Sequence, residues 1–128
     1  MRLLLDTHVW LWLQISPERL GSVLEVVEDT DNELFLSAAS SWEIAIKWSS
    51  GKLQLPAPPQ DYIPDRMAHS GVRGLAVQHA HAVAVASLPM HHQDPFDRIL
   101  LVQASAEHAR LVTADDALLA YDVNILHF

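Results

Sequence analysis

The sequence predicts one α/β domain, with a central, mostly parallel sheet flanked by helices on both faces. Three observations predict it. Short apolar runs alternate with segments of helical period along the whole chain, and that alternation builds parallel sheets joined by right-handed crossovers. The length, 128 residues, fits one domain over residues 1–128 and suffices for a core without staples. Half the residues are hydrophobic and 19% are charged, a balance that excludes an intrinsically disordered chain.

The elements follow in order. Arg2 to Leu5 is a short apolar run of the kind a buried parallel strand shows, closed by Asp6-Thr7. His8 to Gln14 reads as a short helix. Pro17 suits a first helical position after Ser16 as N-cap, and Leu20, Val23, Leu24 and Val27 continue at helical spacing. Residues 29–32 form a polar loop, and Leu34-Phe35-Leu36 a second strand. Ser40-Ser41-Trp42-Glu43 opens a helix that Gly51 ends. After the stiff Pro56-Ala57-Pro58-Pro59 loop, Tyr62 to Ser70 is a weaker helix, Val72 to Val77 a short strand, and Gln78 to Leu88 helical. Met90 to Asp94 is a loop. Pro95 to Ala109 is a helix with Phe96, Ile99, Leu100 and Gln103 on one face. Leu111-Val112-Thr113 is a strand, Ala117 to Tyr121 a helical turn or two, and Val123 to Leu126 a last strand.

Composition excludes several function classes. There is no cysteine, hence no disulfide framework, thiolate nucleophile or iron–sulfur cluster. The longest apolar run is far below the ~20 residues of a membrane span. The first residues superficially resemble a signal peptide, but Asp6 and His8 interrupt the apolar stretch and no small-residue cleavage site follows. A cytoplasmic protein is expected. Sixteen acidic against eight basic residues give a formal charge of −8, which argues against simple electrostatic attraction to a phosphate backbone.

In an open parallel sheet, functional groups gather at the carboxyl ends of the strands. Asp6 directly follows the first strand, and Asp115 follows the Leu111 strand. Glu43 is placed in the first turn of the helix after the second strand, and Asp97 in the first turn of the helix from Pro95. In one cleft, four carboxylates repel one another and raise at least one pKa. A hard divalent cation is the usual remedy. Each acid also has a plainer reading. Glu43, three residues after Ser40, fits a capping box and pairs with Lys47 one turn on. Asp97 favours a helix dipole, and Asp115 is a possible N-cap. A carboxylate that ends an apolar strand, as Asp6 does, is harder to dismiss.

Three stretches then carry a resemblance: LLLDTHVWLW at the start, LSAASSWEIAIKWSSGKL in the middle, and HHQDPFDRILLVQA followed by LVTADDALLAY near the end. In order and over essentially the whole chain, they resemble the PIN domain family, specifically its VapC-like ribonuclease toxins. Carried over by position, the resemblance places the family's acidic quartet on Asp6, Glu43, Asp97 and Asp115, with the Thr113 hydroxyl orienting a carboxylate or a metal water. Asp94 and Asp116 lie beside the quartet. Asp97 is preferred because it aligns with the start of a D-x-L-L pattern, and Asp115 because it completes T-x-D.

The resemblance implies a single PIN-like domain and a Mg²⁺- or Mn²⁺-dependent endoribonuclease. In it Asp6, Asp97 and Asp115 hold metal, and Glu43 holds a second metal or orients the attacking water. It further implies toxicity when expressed alone and a cognate antitoxin protein. A homodimer is expected as well, in which a second copy of the chain extends the groove. Lys47, Lys52, Arg66, Arg73 and Arg98 are candidates for a basic rim that would hold RNA locally.

Two other classes stay open. One is a non-catalytic PIN-like module whose acids bind a partner's arginines. The other is a metal-dependent phosphatase of small esters. The chain has no glycine-rich phosphate loop, which argues against ATP or NAD. His79, His81, His91 and His92 raise the question of zinc, but no helical His pair with a Glu appears. Trp10, Trp12, Trp42 and Trp48 read as core or interface rather than base-stacking platforms.

Overall fold

The computed structural model describes residues 1–128. Five strands form one sheet: β1 (Arg2–Leu5), β2 (Glu33–Ser37), β3 (Val72–Leu75), β4 (Arg110–Thr113) and β5 (Ile125–His127). All pair in parallel, in the order β3-β2-β1-β4-β5. The strand order reverses between β1 and β4, and that gap is the crevice where open α/β sheets bind ligands. Six helices connect the strands: α1 (Thr7–Ile15), α2 (Val23–Glu28), α3 (Ala38–Ser49), α4 (Pro59–Ser70), α5 (His79–Ala84) and α6 (Pro95–Ala106). No helix is long and apolar enough to cross a membrane.

Alternation along β1 divides the core in two, because successive strand side chains point to opposite faces. Leu3 and Leu5 join Val9 and Trp10 of α1, Val23 and Val27 of α2, Ile44 of α3, and Tyr62 and Ile63 of α4. Leu4 points the other way, to Leu100, Leu101 and Ala104 of α6 and to Leu118 and Tyr121. The helices therefore cover both faces, as the alternation of elements required.

Several boundaries move, each for a local reason. Residues 17–28 are not one helix. A 3-10 turn over Pro17–Leu20 is cut from α2 by Gly21, whose φ of +56° L side chains rarely adopt. Ser16 makes no side-chain cap. The helix expected from Ser40 begins earlier, at Ala38, with the Ser37 hydroxyl accepting the Ala39 N–H at 3.0 Å. Glu43 is thus beyond the first turn, and the Ser40–Glu43 capping box does not form. Ser40 Oγ instead accepts the Thr7 hydroxyl at 2.9 Å, tying the start of α1 to α3. The helix from Gln78 becomes α5 plus a 3-10 turn over Val85–Ser87, and α6 ends at Ala106, before His108 at φ +52°. The helical turn near Ala117 is a 3-10 segment, Asp116–Ala120. Of the four tryptophans, Trp10 is fully buried, whereas Trp42 is 64% exposed and stacks edge-on against Phe96.

Candidate active site

A cavity of about 370 Å³ opens at the carboxyl ends of β1 and β4. It is lined by Asp6, Glu43, Asp94, Asp97 and Asp115, and by His8, Lys47 and His92. The four acids singled out in the sequence meet here. Asp116 is not among the lining residues; it is exposed and paired with His127 at 2.7 Å. Asp94 is among them.

Asp6 is placed by the sheet. Its N–H donates to Val112 O at 3.0 Å, extending the β1–β4 ladder by one residue. The side chain, 5% exposed, accepts the Thr113 hydroxyl through Oδ2 at 2.7 Å. Thr113 Oγ1 in turn accepts the Asp115 N–H at 3.0 Å, so one hydroxyl couples the two strand ends. Burial raises the Asp6 pKa above 3.8, and Glu43 adds to it; the Thr113 bond and the nearby His8 pull the other way.

The second wall is helical. Asp94 caps α6, its Oδ1 accepting Phe96 N–H at 2.8 Å and Asp97 N–H at 3.3 Å, with Pro95 in the first helical position. Asp97, one turn in, accepts His92 Nε2–H through Oδ2 at 2.7 Å. Burial pushes the Asp97 carboxyl up from 3.8 to about 6; Asp6 and Asp94 contribute, and the His92 bond opposes them. On α3, Glu43 Oε2 accepts Lys47 Nζ–H at 2.7 Å, the i,i+4 pair its spacing suggested. Asp115 Oδ1 accepts Ala117 N–H at 3.0 Å, so it is a cap and also a wall of the cavity.

A shared arrangement emerges. Each of the five carboxylates has one oxygen tied to a protein donor: Asp6 by Thr113, Glu43 by Lys47, Asp94 by backbone amides, Asp97 by His92 and Asp115 by Ala117. Acids crowded in one cavity, oriented from behind and with two of them held above their ordinary pKa by burial, are the donor set that a hard, oxygen-seeking cation requires. His92, Asp94 and Asp97 each present an atom within 4.8 Å of the others, a possible metal-holding group in its own right.

The expected basic rim is largely absent. Arg98 is buried, Arg66 bonds Gln14, and Arg73 pairs with Glu33; of the five candidates, Lys47 lines the cavity. His92 entered the sequence reading only as a zinc question. Its signal was local: a histidine two residues ahead of an acid–proline helix start, within reach of the next acid on that helix.

The PIN domain family model matches residues 3–124. The chain belongs to the PIN domain family. Among curated PIN relatives, Ribonuclease VapC22 of Mycobacterium tuberculosis is 30% identical over 113 residues, 88% of this chain and 85% of that protein. Ribonuclease VapC16 of the same organism is 43% identical over 68 residues, 53% of this chain; the match spans 48% of that protein's length. Among solved structures, VapBC2 from Rickettsia felis, bound to a DNA fragment from its promoter, superimposes with a TM-score of 0.73 at 12% identity, covering 99% of this chain and 98% of that one. FitAcB from Neisseria gonorrhoeae gives 0.63 at 20% identity, covering 98% and 96%. At these identities the structural likeness establishes the PIN fold.

Proposed function

We propose that residues 1–128 act as one PIN domain that cuts RNA internally with the help of Mg²⁺ or Mn²⁺. The observation that carries this reading is the cavity of oriented carboxylates between β1 and β4, on a chain alignable over most of its length with a relative named as a ribonuclease. Asp6, Asp97 and Asp115 would hold the ion through the oxygens left toward the cavity. When bound, a divalent cation supplies Lewis acidity and positive charge at the scissile phosphate. Thr113 and the strand ladder keep Asp6 from rotating. Glu43, with Oε2 committed to Lys47, keeps Oε1 to orient the attacking water and accept its proton. Lys47 Nζ, part of the cavity wall, would meet a phosphate oxygen. The negative charge of the chain is then no obstacle, because RNA is held at a few phosphates rather than along a basic face.

The reading extends to a cytoplasmic toxin neutralised by a cognate antitoxin, and to a homodimer. The relatives named VapC and the solved VapBC and FitAcB assemblies support the partner. One observation favours the rival, a non-catalytic module: Lys47 already offsets the charge of Glu43. An RNA cleavage assay and a growth assay separate them. An internally labelled RNA should be cut by the purified chain with Mn²⁺, be spared in EDTA, and be spared by Asp6→Asn under both conditions. Equal cutting by wild type in excess EDTA would remove the cation from the mechanism. No cutting of any RNA with Mn²⁺, and equal growth arrest by wild type and Asp6→Asn, would leave the binding module.

A further inference from the structure

The proposed function gives Asp97 a cation to hold, and this inference rests on that reading. We propose that His92 is a positioning residue: its Nε2–H commits one oxygen of Asp97 to the protein and leaves the other to the cavity, and a clamp built by Arg98 and Tyr121 holds His92 there.

His92 lies in a stretch without regular secondary structure, between the 3-10 turn ending at Ser87 and the start of α6. Such a segment has no ladder or helix to fix it, yet its backbone here is bonded at both ends of the residue. The His92 N–H donates to Tyr121 Oη at 2.9 Å. The His92 carbonyl accepts from the Tyr121 hydroxyl at 3.3 Å and from Arg98 Nη1 at 3.3 Å. The Tyr121 hydroxyl also accepts from Arg98 Nη1 at 3.2 Å, so it is used fully as donor and acceptor.

Arg98 is the anchor. It is 7% exposed and makes no ion pair; its guanidinium donates only to neutral oxygens, including the carbonyls of Val85, Leu88 and Pro89. A buried cation without a counter-charge is costly. What this one accomplishes is to gather residues 85–92 against α6, one position after the Asp97 that His92 must reach. The planar, multi-donor fork suits the task where a lysine would not. The clamp thus stands on the same helical turn as the acid it serves, and loop and acid keep a fixed relation.

The chemistry matches the rest of the cavity. Thr113 secures Asp6, Lys47 secures Glu43 and a backbone amide secures Asp115; His92 does the same for Asp97 at 2.7 Å. Partners of this kind typically change metal affinity about 10–100-fold when removed. A ligand role for His92 through Nε2 would require that atom to give up its proton and its bond to Asp97.

The test is Mn²⁺ binding to the full chain, read by the electron paramagnetic resonance signal of free Mn²⁺, alongside metal-free melting temperature. Asp97→Asn is the control for the reading and should abolish binding at this position. His92→Ala should weaken Mn²⁺ about 10–100-fold. His92→Gln, which can still present an N–H, should recover most of that loss. Tyr121→Phe, which keeps the ring packed and removes the clamping hydroxyl, should weaken Mn²⁺ about 3–10-fold by the same logic, and serves if His92→Ala does not fold. If Asp97→Asn loses Mn²⁺ while His92→Ala and Tyr121→Phe bind it like wild type, the positioning role is overturned and the cation reading stands. If His92→Gln is as weak as His92→Ala, the imidazole is itself a ligand and the positioning role is again overturned. If Asp97→Asn binds Mn²⁺ like wild type, the assignment of Asp97 falls, and the role of His92 with it.

Discussion

The two walls of the cavity are held by different means. On the strand side, Asp6 is set by the β1–β4 ladder, and one hydroxyl, Thr113, bonds both its carboxylate and the Asp115 N–H. On the helical side, Asp97 depends on a loop histidine that a buried arginine and a tyrosine hold in place. Main-chain register fixes Asp6 on the first wall, so it is as rigid as the sheet. The Asp97 carboxylate on the second wall is oriented by a loop side chain, so single substitutions can loosen it without touching the core. The difference teaches where the site tolerates change and where it does not.

The largest effect is expected on the strand side. Asp6→Asn should lower RNA cleavage more than about 100-fold, beyond the range for a merely supporting partner, with the fold intact by circular dichroism. Retained cleavage would show that the ladder end is structural and the chemistry lies with the helix.

Next comes a pH effect on the helical side. The Asp97 carboxyl is raised from 3.8 to about 6 in the folded chain. Between those values the folded state binds a proton that the unfolded state lacks. The stability this group contributes is therefore greatest below about pH 4 and declines as pH rises to about 6, by at most about 3 kcal/mol. The difference between wild type and Asp97→Asn in metal-free urea titrations should show that slope, and saturating Mn²⁺ should remove it. A flat difference curve would mean that solvent already relieves the crowding.

These two walls were unequally legible in the sequence. Asp6 was visible because a carboxylate closing an apolar run has few structural excuses, and alternation with helices required its strand to be parallel. Pro95 marked the start of α6, because proline suits the first helical position. Glu43 was identified but misplaced, because the adjacent Ser40 and Ser41 offered a cap at Ser40 that the helix, capped by Ser37, did not use. Arg98 was read as a surface cation, since nothing in a DPFDR run says that the arginine turns inward to five neutral oxygens. Those bonds go to residues 85–92 and 121, a meeting that only the tertiary fold brings about. The break at Gly21 was missed because hydrophobic period continues across it.

A smaller effect tests the hydroxyl shared between strand ends. Thr113→Val keeps shape and removes the donor to Asp6 Oδ2. The buried carboxylate then loses a bond to a charged acceptor, worth roughly 1.5–3 kcal/mol, and its pKa should climb further. Mn²⁺ affinity should fall with it. Unchanged affinity by calorimetry would shift the burden of orienting Asp6 to its backbone alone.

The smallest effect separates the paired acids of α6. Asp94→Ala should cost about 0.5–2 kcal/mol as a lost cap, equally with and without Mn²⁺ in thermal unfolding. Loss of the metal response in this variant, with retention in Asp97→Asn, would exchange the roles of the two.

The central strand of the sheet is also the first to be synthesised. β1 spans Arg2–Leu5, but its partner on one side, β4, begins at Arg110, and the bond from Thr113 to Asp6 joins residues 107 apart. The cavity therefore lacks its Asp115 side until β4 has joined the sheet. Until then Asp6 borders an open sheet edge, with neither Thr113 nor Asp115 beside it. Long-range parallel pairing of this kind closes late in folding. A nascent chain, or one terminated before β4, is thus without a finished cavity: it lacks Thr113 and Asp115, and the Asp6 carboxylate has lost the hydroxyl that orients it.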